Sequence, residues 1–160
     1  MAPSVFPGRY TVNADGEEVT VFLIGMRINR FWNLGAWLPV FCAMPGMIAR
    51  LASRPELGLL GYHLWFGRTT IMVSYWSSPD KLRAFASSPD QPHLVPWRRY
   101  MKKIGASGSV GVWHETYRLA PRNREAVYAN MPLFGLARAA GHVQIAAGRN
   151  TFTQRMRSQE

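Results

Sequence analysis

Cysteine is almost missing from the 160 residues: Cys42 stands alone, so no internal disulfide can form. The same absence excludes a CxxC redox motif, a zinc ribbon and a c-type haem attachment sequence, and it suggests a reducing, cytoplasmic compartment. Lysine is nearly as scarce, with Lys81, Lys102 and Lys103 the three among 19 basic residues. Residues 2–14 read APSVFPGRYTVNA, which lacks a basic segment followed by an apolar run, so a secretory leader is not expected. Repeats and low-complexity tracts are absent too.

What is present is the composition of one folded domain, 48% hydrophobic and 18% charged. A chain of this length buries roughly 70% of its unfolded surface on folding. The formal net charge of +10 admits nucleic acid, anionic lipid or merely a basic protein. No helix-turn-helix, zinc finger or aromatic RNA-binding signature accompanies the charge, so nucleic acid is an unfavoured partner. From Arg118 onward seven basic residues face two acidic ones, and this suggests a core over about 17–120 with a C-terminal arm over 121–160 that wraps a partner subunit or is loosely ordered.

Glu18–Ile28 has the continuous apolar middle of an interior strand. Phe31–Leu51 is apolar and about as long as a minimal membrane span, yet Pro39 and Pro45 argue for a bent amphipathic helix or two short ones. Peripheral membrane contact through Trp32 and Trp37 is the milder version of the membrane reading. Leu57–Phe66 and Thr69–Trp76, joined by Gly67-Arg68, form a hairpin. Ser77-Ser78-Pro79-Asp80 starts a helix with Leu82 and Phe85 on one face, which breaks over Ser87–Pro92 and resumes over His93–Ile104. Ser109–Leu119 alternates as a fourth strand, and Asn123–Asn130 reads as one more short helix. The order is β-α-β-β-α-β, an α+β ferredoxin-like arrangement with the first and third strands central.

In a strand His114 and Glu115 point to opposite faces, so they cannot form an acid–base dyad. His114 shares its face with Val112, Thr116 and Arg118, as a general base, a ligand or a plain edge histidine; Glu115 is expected to pair with an arginine of a neighbouring strand. The four histidines do not converge, which speaks against a protein-ligated metal. Cys42 in an apolar helix is expected to be buried and inert. GASGSVG at 105–111 leads into a strand and lacks the helix N-terminus that cradles phosphate. An apolar pocket remains: Thr70, Met72, Ser74 and Trp76 on one strand face, with His93, Trp97 and Tyr100 from the facing helix. Arg27 and Asn29 leave an apolar strand and require a partner, a substrate anion or solvent.

The blocks WFGRTTIMVSYW (65–76), HLVPWRRYMKKIG (93–105), GVWHETY (111–117) and EAVYANMPLFGL (125–136) resemble a monooxygenase-like family of small proteins, long known only as a domain of unknown function. It includes a protein of the fungal fumagillin pathway and many bacterial members, and the likeness runs from about Val21 to about Gly141. The family looks like a branch of the dimeric α+β barrel superfamily, beside the antibiotic-biosynthesis monooxygenases. The resemblance implies a homodimer, a pocket between sheet and helices, and a role in secondary metabolism. It further implies oxidation of an aromatic or enolisable small molecule with no cofactor: a base deprotonates the substrate and its carbanion reduces dioxygen. His114 and His93 are the catalytic candidates, with Trp76, Trp97, Tyr100, Ser74, Thr116 and Arg27 around the substrate. Haem-binding relatives use a histidine on the helix after the third strand, where His93 stands, so a haem enzyme of the aldoxime-dehydratase or haem-degrading kind is the alternative. A non-enzymatic small-molecule or membrane-surface binding protein is the third reading.

Overall fold

The computed structural model describes residues 4–88 and 107–157. Two antiparallel sheets carry the fold. The larger consists of β2 (Val19–Ile28), β3 (Leu59–Trp65), β4 (Thr69–Trp76) and β5 (Val110–Leu119), in the order β3-β4-β2-β5. The first and third strands of the expected pattern are therefore central and the other two are edges, so the ferredoxin-like reading holds. Helix α1 (Leu34–Ala52) connects β2 to β3, and α2 (Pro79–Ser87) follows β4. Ser78 caps α2 as expected, its Oγ accepting from the N–H of Lys81 at 3.2 Å with Pro79 in the first turn.

Both helices lie on one side of the sheet. Met26, Ile28 and Val110 pack under Ala36 and Trp37 of α1, while Trp76 packs under Leu51 of α1 and under Leu82 and Phe85 of α2. Helix α1 runs unbroken through Pro39 and Pro45, and both prolines are exposed. Their rings thus lie on the outward side of the helix, away from the sheet.

The second sheet lies outside the expected pattern. Residues 6–12, set aside as the start of the chain, form β1 (Phe6–Val12), the centre of a three-stranded sheet ordered β6-β1-β7. β6 (Val127–Met131) takes the place of the short helix expected over Asn123–Asn130, where only a 3-10 turn at Pro121–Asn123 precedes it. The reason is long-range: Thr11 pairs with Val127 and Tyr10 with Tyr128, a partnership no local window reveals. The residues expected to be an arm return to the body of the protein. Helix α3 (Leu136–Ala140) buries Leu136 with Val12 and Val19, β7 (His142–Gln144) pairs with β1, and α4 (Phe152–Arg157) is tied down by Arg155, whose Nε meets the Glu125 carboxylate at 2.6 Å. Arg124, 2% exposed, donates to the carbonyls of Glu17 and Asn13 and locks the β1–β2 connection to the residues before β6.

Candidate functional site

Register builds the helix-facing floor of the large sheet in rows. Met72, Ile24 and His114 form one row, Ser74, Phe22 and Thr116 the next, and Trp76, Thr20 and Arg118 a third. His114 is exposed on this floor, its ring 5.8 Å from that of Phe22 and tilted by 42°. Thr116 lies two residues along on the same face and is also exposed. Arg118 is engaged elsewhere, its Nε and Nη2 donating to the Glu18 carboxylate at 2.9 and 3.2 Å, which raises its pKa.

The remaining expected site residues divide. Ser74 and Trp76 are buried: the Ser74 hydroxyl donates to the Phe22 carbonyl at 3.0 Å and accepts from the indole N–H of Trp76 at 3.0 Å. Phe22 packs against the Trp76 cluster on the same face of the sheet. Arg27 sits on the opposite face of β2, donating from Nη1 to Thr69 Oγ1 at 2.9 Å, and Asn29 donates to the Gly108 carbonyl. Neither meets His114. His93, Trp97 and Tyr100 lie outside the described residues.

Several expectations need correction. Cys42 is exposed, because it falls on the outward side of α1. Trp37 turns inward, with its N–H on the Phe31 carbonyl at 3.1 Å, whereas Trp32 is 81% exposed. Glu115 makes no ion pair with an arginine among the described residues; its carboxylate accepts the Tyr117 hydroxyl at 2.5 Å, and this bond raises the Tyr117 pKa. Two residues apart in one strand, the pair shares a face, so period-two geometry could have suggested it.

A second cluster, on the far side of the same sheet, was not anticipated. Gly135, at φ +57, packs close to the hydroxyls of Tyr75 and Tyr128, and its N–H donates to His63 Nε2 at 2.9 Å. Burial pushes both phenols above their usual pKa. The Tyr128 hydroxyl also accepts from the Ala137 N–H at 3.1 Å, and Phe134 stacks on His63 with ring centroids 3.9 Å apart. This explains the YANMPLFG block in structural terms. Tyr128 holds the start of α3, and Asn130, at φ +52, accepts the Gly8 N–H at 2.9 Å. Among the described residues no group of three or more His, Cys, Asp or Glu side chains is placed to hold a metal ion.

Comparison with known proteins adds the family. The chain is 28% identical over 150 residues to monooxygenase af470 of Aspergillus fumigatus, across 79% of this chain and 52% of that protein. It thus spans about half the length of the curated relative it matches. Two crystal structures of aldoxime dehydratases, one in complex with butyraldoxime, superpose with TM-scores of 0.62 and 0.61. Each superposition covers 91% of this chain but 46% and 45% of the dehydratase, at 15% and 14% identity, so the likeness is one of fold. The sequence profile described as monooxygenase af470-like matches residues 19–136, from the first residue of β2 to the first of α3. This chain belongs to the monooxygenase af470-like family.

Proposed function

We propose that the protein is a small-molecule oxygenase that works without a bound cofactor, taking an aromatic or enolisable substrate against the helix-facing side of its large sheet. Membership of a monooxygenase-like family supports the reaction class. The observation that carries the site is the exposed imidazole of His114, standing in register with Ile24 and beside the Phe22 ring. An imidazole near an apolar surface is a suitable base for a phenol or enol, and the Thr116 hydroxyl two residues along can hydrogen-bond the substrate oxygen. Removal of the proton leaves a carbanion that gives its electrons to dioxygen and forms a C–O bond; the resulting peroxide, once protonated, breaks its O–O bond with loss of the second hydrogen on that carbon, leaving a carbonyl on the substrate and releasing water.

A homodimer belongs to the same reading. Leu23, Ile71, Val73 and Trp113 are only half-buried on the opposite face of the sheet, where a second copy would cover them. Of the three described histidines His114 is the exposed one, and a haem would take it as its ligand. That imidazole is reachable, so the fit is acceptable on this one donor.

The test begins with a visible spectrum of the purified protein before and after addition of hemin, followed by oxygen uptake with a panel of enolisable phenols. A colourless protein that consumes oxygen, and loses that activity by about 100-fold or more in His114→Ala, supports the proposal. A Soret band at one haem per subunit, abolished in His114→Ala, replaces it with the haem enzyme.

A further inference from the structure

The outward side of α1 breaks the rule that a surface helix turns a polar face to water. From Leu34 to Ala49 the helix carries no charged residue, and Leu34, Leu38, Phe41, Cys42, Pro45 and Ala49 are all exposed. An open groove of about 350 Å³ runs along Leu34, Leu38, Pro39 and Cys42. The patch extends beyond the helix. Phe66 in the β3–β4 turn lies 5.8 Å from the Phe41 ring and is 67% exposed, and Phe31 and Trp32 crown the helix start. Isolated apolar side chains are common on surfaces, but a continuous cluster of this size marks a contact.

The charges around the patch point to one kind of partner. Between Val19 and Pro55 there is no Asp or Glu, while Arg30 precedes the start of α1 and Arg50 and Arg54 stand at its end. Arg68, from the same turn as Phe66, sets its guanidinium 5.8 Å over the Phe31 ring. Aromatic side chains beside arginines, on a helix apolar outward, match the boundary between acyl chains and anionic headgroups. By length and composition α1 is also apolar enough to cross a membrane. Its other face, however, is committed to the sheet through Ala36, Ile48 and Leu51, so it can lie in the interface but cannot thread the bilayer without abandoning that core.

We propose that the protein docks peripherally on an anionic lipid bilayer through the outward face of α1, Phe31–Trp32 and the β3–β4 turn. The docking does not depend on the oxygenase reading. Co-sedimentation of the full chain tests it, using vesicles of phosphatidylcholine alone or mixed with phosphatidylserine. The protein should pellet with the mixed vesicles, bind the neutral ones about tenfold less, and release as salt rises through about 0.5 M. Trp32→Ser combined with Phe66→Ser removes two exposed rings without touching the core, and should lower binding by about tenfold while circular dichroism stays unchanged. Equal binding to both vesicles, or binding indifferent to the double substitution, overturns the proposal. So does a fall in oligomeric mass on the double substitution, which would make the patch a contact between copies. Resistance to alkaline extraction would overturn it in favour of a spanning helix.

Discussion

His63 Nε2 accepts a hydrogen bond from the Gly135 N–H at 2.9 Å, joining residues 72 positions apart and fastening the edge strand β3 to the turn before α3. A ring nitrogen can accept only while it is unprotonated. Burial, helped by the Arg138 charge, holds the His63 pKa below the ordinary histidine value near 6.5. The unfolded chain therefore takes up this proton more readily than the folded one. The contribution of the contact is complete above about pH 6.5 and is lost as pH falls from there through the lowered folded value. Calorimetry at about pH 7.5 and about pH 5.5 should show a lower Tm in acid, and His63→Phe should start lower and lose much of the difference. An undiminished pH dependence in that variant would assign the effect to another histidine.

Gly25 lies under the Trp113 indole. A Cβ added there would stand 2.6 Å from Trp113 Nε1 and 2.8 Å from the Thr70 carbonyl oxygen, and the carbonyl cannot move without disturbing the β2–β4 ladder. Gly25→Ala is expected to destabilise by about 1–3 kcal/mol or more, read from the urea midpoint. A neutral result would mean that the two central strands separate more easily than their pairing implies.

Trp76 and Ser74 offer a way to distinguish core from site. Ser74→Ala leaves the indole N–H without its acceptor in a dry interior, at a cost of about 1–3 kcal/mol. Turnover per folded molecule should stay close to that of the wild type. If kcat falls while the melting curve holds, these residues line the substrate after all.

Arg155 joins α4 to Glu125 with its side chain 8% exposed, and it also donates to the carbonyls of Arg149 and Asn150. Arg155→Ala strands a largely buried carboxylate and should cost about 3–5 kcal/mol in chemical denaturation. Adding Glu125→Gln should recover part of that loss. Additive costs in the double variant would mean the pair is not coupled.

The legible parts of this protein were those with a local signature. Alternation in Thr69–Trp76, the Gly67-Arg68 turn and the Ser78-Pro79 start each report on a few neighbouring residues, and each appears as expected. The faces of β5 were equally readable, since period-two geometry alone separates His114 from Glu115.

Sequence by itself therefore determined the four-stranded sheet, its strand order and the separation of His114 from Glu115 onto opposite faces, because backbone periodicity and crossover geometry are properties of short segments. Tertiary structure alone decided the second sheet, since β1 and β6 find each other across more than a hundred residues and neither short strand has a local reason to form. It also decided the exposure of Cys42 and the outward face of α1. An apolar pattern shows which residues avoid water, while only packing shows which of them find cover.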